Sequence, residues 1–532
     1  MSVVVVGSGL AAVGAVKALI ARGLRPTLLD IGNRLPSRLA EMQRSMSARE
    51  TSRWSGEEWQ QLAADDTQRE RSVPRKLVLG SDYFYSPEQA ALAEWNRFED
   101  GSPPWSPARG GFSVGWGAAV LPPAPSDIAD WPVTHADIMH HMREALNGIP
   151  LSEPNDDLGE YFGRLRPSGT SVLALSRGQA SLHDRLIHSG RTGHATHGKT
   201  VLVGQSRLLT ESAPTAPNRC RFCGHCSSGC VYGSIYTAEH DLDRWIRDGS
   251  IDYRGASTVF AIREQAGSIN VSYLRDDRIE TLDAERVFLA AGAVNSARIL
   301  INSSHDHPEH TTIHRTGYAV QMFASPRAID VEWPEVNTQT SHFVTFRDEK
   351  LSPYWAHAQV GQPNEAILRR LGLRHSNFSG ARAGAARMAA SRMISAALNL
   401  HSSLGPTYEL RVSRTTQGLP TVQTSQTWGA HSRRAISAYS QSLSRVLRPA
   451  GFYAIPLAKQ TSGAALTYHF GASFPMQREP RASNHTDVLG RPFGWSRVHV
   501  VDTSVLPAIP ATTVGLLTMA NAHRIAETAA AL

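Results

Sequence analysis

The strongest constraint on the fold lies at the start of the chain, where a glycine-containing turn joins an apolar run to a stretch of small residues. Residues 2–7 are Ser-Val-Val-Val-Val-Gly, which predicts a fully buried parallel strand, and residues 10–22 have the alanine spacing of a helix. Residues 26–31 predict the next strand of the same sheet. A strand, a helix and a second strand in this order form a βαβ unit, so the chain is predicted to be an α/β protein.

The turn of this unit has the composition of a dinucleotide-binding site. Gly7 permits a tight turn, Gly9 lets the backbone approach a pyrophosphate, and Ala12 allows the helix to pack closely on the strand. The start of the helix adds the positive end of the helix dipole. Asp30 ends the second strand, at the position where an acidic residue holds ribose hydroxyls. These four residues predict a dinucleotide site but do not by themselves distinguish FAD from NAD.

Length and composition exclude several classes of protein. The 532 residues are too many for one ordinary core, and 41% hydrophobic with 19% charged residues is typical of a globular chain. The net charge of +7 is spread too thinly to indicate a nucleic-acid partner. The sequence has no run of about 18 apolar residues and no basic leader, so we expect neither a spanning helix nor a signal peptide, and a cytoplasmic location.

Three further segments resemble motifs of the glucose–methanol–choline (GMC) oxidoreductase family, in the family's order. Residues 109–117 resemble its Gly-Gly-Ser-Ser-x-x-Trp-Gly segment, and residues 289–300 resemble its second flavin segment. Residues 501–510, followed by Met-Ala-Asn-Ala at 519–522, resemble its C-terminal signature. The resemblance does not extend to the middle of the chain, about 310–450.

The resemblance implies an FAD held in an extended pose. The residues implied to hold it are Gly7, Gly9, Ala12 and Asp30 for the ADP half, Gly110, Gly111, Ser113, Trp116 and Gly117 beside the flavin, Ala291 and Gly292 in the second segment, and Asp502 at the linker. Two of these assignments have alternatives that stay open. Trp116 could instead pack in the core, and Asp502 could be a helix cap or a turn residue.

The implied catalytic base is a histidine near the end of the chain. Residues 468–476, Tyr-His-Phe-Gly-Ala-Ser-Phe-Pro-Met, resemble the family's His-x-x-Gly-Thr-x-x-Met with the glycine displaced by one position. This match places His469 on the active-site histidine and Ser473 on the threonine. A histidine can take the alcohol proton while hydride leaves for flavin N5. The family's second catalytic position, His or Asn, is Thr513 here, which can only hydrogen-bond or cap the last helix.

The function implied is FAD-dependent oxidation of an alcohol to a carbonyl. Residues 74–83 and 519–525 are similar to bacterial members, including aminoglycoside and sugar hydroxymethyl oxidases of antibiotic biosynthesis, so a primary alcohol of a sugar or aminoglycoside is the favoured substrate. Because Thr513 replaces a second base, a non-oxidative lyase or isomerase stays open as an alternative. The expected electron acceptor is dioxygen, a quinone or a protein.

The four cysteines are confined to one short segment. Cys220, Cys223, Cys226 and Cys230 follow the spacing C-x2-C-x2-C-x3-C, which is that of a ferredoxin-type iron–sulfur run. Such a run predicts a [4Fe–4S] or [3Fe–4S] cluster that could pass electrons to a quinone or protein acceptor. Zinc favours two separated pairs, and some GMC relatives, including sterol and long-chain alcohol oxidases, carry a similar run that need not imply a metal. Zinc ligation and free buried thiols therefore stay open.

Residues 364–400 predict a basic amphipathic helix. Six arginines lie among leucines, methionines and an isoleucine in this stretch, with Glu365 its only acid. Such a helix can lie on an anionic membrane surface, which would place the protein on the inner membrane face and favour a quinone. The alternative is a solvated face over an ordinary core face.

The predicted architecture is an α/β fold with interleaved domains. A Rossmann-like FAD-binding domain is combined with an α+β substrate domain built on an antiparallel sheet, to which the alternating residues 318–345 and 407–426 contribute strands. The predicted boundaries are residues 1–35, 105–125, 215–305 and 465–532 for the FAD-binding domain, 36–104 and 126–214 for helical and loop excursions, and 306–464 for the substrate domain.

Overall fold

The computed structural model describes most of the chain. The described residues are 1–62, 64, 76–85, 102–166, 169–189, 199–304, 308–330, 336–363, 388, 390–416, 418–461 and 467–532. The strands are β1 (Val3–Val6), β2 (Thr27–Leu29), β3 (Lys199–Gln205), β4 (Asp252–Arg254), β5 (Thr258–Gln265), β6 (Ser268–Arg275), β7 (Arg278–Ala284), β8 (Arg286–Leu289), β9 (His310–Arg315), β10 (Gly317–Ala324), β11 (His342–Asp348), β12 (Ala356–Gly361), β13 (Met393–Leu400), β14 (Thr407–Ser413), β15 (Thr421–Thr427), β16 (Tyr453–Thr461), β17 (Phe470–Gly471) and β18 (Val498–Val500).

Ten α-helices lie within the described residues. The α-helices are α1 (Leu10–Ala21), α2 (Ser37–Ser47), α3 (Gly56–Leu62), α4 (His135–Ala145), α5 (Asp157–Phe162), α6 (Arg177–Ile187), α7 (Ala238–Arg247), α8 (Ala293–Ser303), α9 (Ala430–Leu447) and α10 (Gly515–Ala530). Across the described segments, none is long and apolar enough to cross a membrane.

A five-stranded parallel sheet carries the βαβ unit. Its strand order is β18-β8-β1-β2-β4, and every pairing is parallel. All four valines of β1 are buried, because a parallel strand in the middle of a sheet is covered on both faces. Helix α1 packs against α10 from the far end of the chain. The predicted strand–helix–strand start is confirmed.

A six-stranded antiparallel sheet forms the second layer. Its order is β16-β10-β13-β12-β11-β3, and α6 and α9 pack on it through an apolar cluster that includes Leu182, Phe323, Leu398 and Tyr439. Strand β3 lies within the predicted excursion 126–214 and pairs with β11. The domain boundaries stay a prediction, whereas the α/β fold class with parallel and antiparallel sheets is observed.

Two smaller antiparallel sheets complete the fold. The order β15-β14-β9-β17 brings the strand after His469 beside β9, and β5-β6-β7 is a simple meander. The predicted strands within 318–345 and 407–426 both exist but belong to different sheets, since β10 and β11 lie in the six-stranded sheet and β14 and β15 in the four-stranded one.

The prediction of a basic helix over 364–400 is wrong for residues 393–400, whereas Met388 and Ala390 are helical. Residues 393–400 form β13, which pairs with β10 on one side and β12 on the other. Ile394, Ala396 and Leu398 alternate with less buried neighbours, which is the two-residue period of a strand. Residues 364–387 and 389 lie outside the described residues, so the membrane contact stays untested.

Candidate functional site

A deep cleft opens at the carboxyl ends of the parallel strands. Each of β1, β2, β8 and β18 ends at this cleft, as does the first turn of α10. Ligands bind at this edge of open parallel sheets, where the loops after the strands converge. The segments lining it are 6–11, 29–31, 104–106, 111–113, 257–259, 290–295, 502–503 and 514–515, together with Ala108, Ile299, Tyr468, Phe470 and Thr518.

The two glycines of the first turn have different surroundings: Gly7 is tightly packed against the backbone, whereas Gly9 faces the cleft. Gly7 has φ +98°, and a Cβ there would lie 2.6 Å from the carbonyl oxygen of Ala290. A Cβ on Gly9 would meet no atom of the described residues within 4 Å, because this residue faces the open cleft. Gly9 caps α1 without a side-chain hydrogen bond, so first-turn N–H groups of α1 stay available to an anionic ligand. Ala12 is buried within the helix packing and does not line the cleft.

Asp30 lies at the centre of a hydrogen-bond network in the cleft. Ser8 Oγ donates to Asp30 Oδ2 at 2.5 Å, and the Tyr253 hydroxyl donates to the same oxygen at 2.9 Å. The backbone N–H of Gly110 donates to Ser8 Oγ at 2.9 Å, which ties the first turn to the segment 109–117. Burial raises the pKa of Asp30 to about 6.

The segment 109–117 lies beside the first turn. Gly110 and Gly111 both have positive φ, at 86° and 57°, and a Cβ on Gly111 would lie 3.4 Å from Gly9 Cα. Ser113 lines the cleft, donating through Oγ to Gly110 O at 2.6 Å and accepting from the N–H of Ala238 at 2.9 Å. The two glycine segments therefore approach each other closely at the edge of the cleft.

Trp116 and Gly117 do not line this cleft. The Trp116 indole N–H donates to Tyr236 O at 2.7 Å, and its ring would lie 2.6 Å from a Cβ on Gly515. Gly117 O accepts from Gln339 Nε2 at 2.8 Å. Trp116 is half-buried, and its ring packs against the core next to Gly515 at the start of α10.

Asp502 links the end of β18 to the start of α8. It accepts hydrogen bonds from Gly292 N at 2.9 Å, from Ser504 N at 2.9 Å and from Ser296 Oγ. Gly292 has φ +80° and caps α8, and Ala291 lies next to it in the cleft lining. Burial raises the pKa of Asp502 above its ordinary value. Asp502 therefore lines the cleft and caps the turn at Thr503–Val505, while its contact with a cofactor stays a prediction.

His469 lies between two residues of the cleft lining. Tyr468 and Phe470 line the cleft, whereas His469 is outside its lining and keeps part of its side chain accessible. Its Nδ1 is enclosed and has no partner among the described residues, which leaves Nε2 as the reachable ring nitrogen. Burial lowers the pKa of His469 to about 4, so the ring is neutral near pH 7 and can accept a proton.

Several polar residues outside the sequence motifs lie near His469. The backbone N–H of His469 donates to Thr467 Oγ1 at 3.2 Å. Thr316 Oγ1 lies 3.3 Å from Thr467 Oγ1 and donates to Asn399 Oδ1 at 3.3 Å. His357 pairs with Asn399 across β12 and β13, and neither of its ring nitrogens has a partner within the described segments. Burial, together with the nearby His469, lowers the pKa of His357 to about 3.

Ser473 and Thr513 are both buried, in different settings. Ser473 Oγ has no partner in the described part of the chain, and Ser473 O accepts from Thr311 Oγ1 at 3.0 Å. Thr513 Oγ1 accepts from Leu121 N at 2.7 Å and donates to Leu121 O at 3.4 Å. The N-cap of α10 is Val514, without a side-chain cap, so Thr513 does not cap this helix.

The four cysteines form no disulfide with one another, and each is half-buried. Asn337 Nδ2 donates to Cys220 Sγ at 3.5 Å, Thr338 N to Cys226 Sγ at 3.3 Å, and Ser234 N to Cys230 Sγ at 3.2 Å. Within the described ranges, no three of the four sulfurs lie within 4.8 Å of one another. Thiolates on one zinc ion would be about 4 Å apart, given Zn–S bonds of about 2.3 Å. The described geometry is thus not that of a formed zinc site, and the iron–sulfur cluster stays a prediction.

Comparison with known proteins gives a match of fold only. No family model and no curated protein sequence matches the chain. Among solved structures, the crystal structure of pyridoxine 4-oxidase from Mesorbium loti matches with a TM-score of 0.57 and 14% sequence identity. The match covers 99% of this chain and 98% of that chain. The two proteins therefore share a fold along their whole length, which confirms the α/β fold class predicted from the sequence.

Proposed function

We propose that the protein is an FAD-dependent oxidoreductase that oxidises an alcohol to a carbonyl. The observation that carries the proposal is the position of His469, a neutral histidine flanked by two residues of a dinucleotide-type cleft. The name of the structural neighbour, an oxidase with the same fold, supports the same reaction class.

The residues of the cleft fit FAD. Gly9 leaves the open space and the first-turn N–H groups that a pyrophosphate needs. Asp30 keeps a carboxylate at the edge of the cleft, where it would accept hydrogen bonds from ribose hydroxyls. Phe112 and Tyr468 add aromatic faces to the lining, with ring centroids 5.1 Å apart. When bound, FAD accepts the hydride that leaves the alcohol carbon.

His469 supplies the acid–base chemistry in this proposal. Its Nε2 accepts the hydroxyl proton as the carbon–hydrogen bond breaks, so that a C=O bond forms and the substrate loses two electrons and two hydrogens. The enclosed Nδ1 has no carboxylate partner to stabilise the imidazolium, which keeps the ring a weak base suited to transient protonation. Thr513 is held by the backbone of Leu121, so it acts on pocket shape and not as a base.

The substrate class and the electron acceptor belong to the proposal. A primary alcohol on a sugar or aminoglycoside remains the favoured substrate, and pyridoxine joins the test panel because the structural neighbour is named for it. The acceptor is dioxygen, a quinone or a protein.

Anaerobic reduction of the flavin tests the reaction. The purified holoprotein is mixed without dioxygen with pyridoxine and with primary-alcohol sugars, and the flavin absorbance is followed while the carbonyl product is measured. We expect bleaching with at least one alcohol in wild type, none in His469→Ala with FAD still bound, and bleaching in His485→Gln. His485 is a matched control because it is also partly buried with an unpartnered Nδ1 in the described structure.

Two outcomes decide against oxidation. Product that forms while the flavin stays oxidised indicates the lyase or isomerase alternative. Equal bleaching in His469→Ala and wild type removes His469 from the reaction. Re-oxidation of the bleached flavin by dioxygen or by a soluble quinone then identifies the acceptor class.

A second candidate, a dehydrogenase with an iron–sulfur cluster, is favoured by one observation. Three of the four cysteine sulfurs accept N–H hydrogen bonds, the kind of bond that tunes protein-bound clusters. Iron and acid-labile sulfide are measured on anaerobically purified protein. Stoichiometric amounts of both support this candidate, and their absence leaves the cysteines as thiols.

A further inference from the structure

A second polar cluster lies between α4 and α10, outside the cleft. His141 belongs to α4, and His523 and Glu527 belong to α10, whose first turn borders the cleft. None of the three side chains lines the cleft. The cluster is therefore independent of the proposed flavin site, although it shares a helix with it.

The three side chains converge on one point. The two Nδ1 atoms of His141 and His523 are 3.1 Å apart, and Glu527 Oε2 lies 4.0 Å from His141 Nδ1. One ligand atom from each residue lies within 4.8 Å of the other two. Nitrogen and oxygen ligands at about 2.1 Å from a tetrahedral ion would be about 3.4 Å apart. The observed separations of 3.1 and 4.0 Å lie on either side of this value, so only small side-chain movements would be needed to bind an ion.

Helix geometry explains why these residues meet. His523 and Glu527 are four residues apart, so they project from the same face of α10. His141 approaches from α4, which is fixed at its start by the capping box of Thr134 and Asp137. Helix α10 is fixed by Arg524, whose guanidinium donates to Val488 O at 2.6 Å. The cluster is thus positioned by packing that does not depend on an ion.

The charge and exposure of the cluster suit a cation. A 3.1 Å contact between two Nδ1 atoms needs one donor and one acceptor, so at least one imidazole is neutral. The two histidines are 8% and 6% exposed, while the Glu527 side chain is 37% exposed. Neutral imidazoles with a carboxylate are a donor set of zinc and related ions, and the exposed side gives an ion a way in.

Two nearby cations, Lys17 and Arg22, do not close off the cluster. Lys17 Nζ donates to the carbonyl oxygens of Ala145 and Asn147 at 2.9 and 2.6 Å. Arg22 approaches Glu527 only at 4.0 Å, and both of these side chains are partly solvent-exposed. These cations therefore leave Glu527 available to an ion at the mouth of the cluster.

We propose that His141, His523 and Glu527 bind a divalent transition-metal ion of the zinc class, which clamps α10 to α4. Three protein ligands leave a fourth position to water. The ion has a structural role, because it holds the helix whose first turn borders the cleft and does not touch the cleft itself.

The site is tested by titrating Zn²⁺ into the FAD-loaded protein after a chelator has removed bound metal ions. Binding of Zn²⁺ is measured by calorimetry, together with the midpoint of thermal unfolding. We expect one tight site in wild type and a rise in the unfolding midpoint of a few degrees on Zn²⁺ addition, because a ligand that binds only the folded state stabilises it. His523→Gln and Glu527→Gln should each weaken binding by about tenfold or more, since each removes one ligand.

Two further variants separate this site from other donors. His431→Gln removes an exposed histidine of α9 and should bind Zn²⁺ as wild type does. If Cys226→Ser abolishes binding while His523→Gln retains it, the thiols hold the ion and the proposal is overturned. Equal Zn²⁺ affinity in wild type and Glu527→Gln overturns it as well. Neither readout depends on flavin reduction, so this proposal can fail while the proposed function stands.

Discussion

Replacement of Gly14 by alanine tests the packing that positions the dinucleotide turn. Gly14 is buried in the middle of α1, and a Cβ there would lie 2.0 Å from the carbonyl oxygen of Met519 on α10. Contacts of this kind are at least about 3 Å, so the two helices would have to separate by about 1 Å. The obstacle is backbone and cannot rotate away.

Two effects of opposite sign determine how far Gly14→Ala changes the free energy of unfolding. Alanine in a helix interior is favoured over glycine by about 1 kcal/mol. Overpacking a close-packed site costs about 1–3 kcal/mol and sometimes more, and a backbone obstacle places Gly14 at the upper end. We therefore expect the Gly14→Ala variant to lose about 2 kcal/mol of unfolding free energy. It should also retain less FAD, because a shift of α1 moves the N–H groups next to Gly9.

Thermal unfolding and flavin content after gel filtration are the assays. Gly56→Ala is the matched control, since Gly56 begins α3 and a Cβ there would meet no atom within 4 Å in the described structure. This control should unfold at or slightly above the wild-type temperature with full flavin. A Gly14→Ala variant that is as stable as Gly56→Ala would refute the close helix crossing.

The remaining predictions concern titration and the turns of the cleft. Because the pKa of His469 is lowered to about 4 and the base must be neutral, kcat/KM for an alcohol should fall only as the pH drops through about 4, and a midpoint near 6.5 would contradict the burial argument. Asp30 has its pKa raised from 3.8 to about 6, so its charged form is disfavoured in the folded apoprotein, and stability should rise as the pH falls from about 6 to about 4. Asp30→Asn should weaken this dependence, stabilise the apoprotein at pH 7 by about 3 kcal/mol and weaken FAD binding, all measurable by denaturant unfolding and flavin titration. Asp502→Ala leaves the N–H groups of Gly292 and Ser504 without their acceptor, so it should cost about 1–3 kcal/mol in the same unfolding assay.

The nucleotide half of the fold could be predicted because its signals are local. The strand β1, the turn at Gly7 and the helix α1 lie within about 20 residues, and close backbone contacts require glycine at positions 7 and 14. The cleft lining also includes Asp502 and Gly292, which the motif resemblance identified. In β1, the turn at Gly7 and α1, the residues that form the sequence pattern are also the residues that contact one another in the structure.

The antiparallel half could not be predicted in the same way. Strand β13 follows an arginine-rich stretch whose spacing favours a helix, and only its pairing with β10 and β12 makes it a strand. His357 lies in no recognisable sequence motif. Its position near His469 follows only from the pairing of β12 with β13, which sets it opposite Asn399. The contact of Thr513 with Leu121 joins positions that are 392 residues apart, a separation that no local pattern reports.

One residue, Thr316, separates the two antiparallel sheets next to His469. It follows β9 of the four-stranded sheet and precedes β10 of the six-stranded sheet, and its N–H donates to His469 O at 3.1 Å. The backbone of the proposed base is therefore held at the corner between these sheets, whereas the dinucleotide turn is held by the parallel sheet. Sequence changes in the antiparallel sheets can therefore reshape the surroundings of His469, while the turn at Gly7 is constrained separately by the parallel sheet.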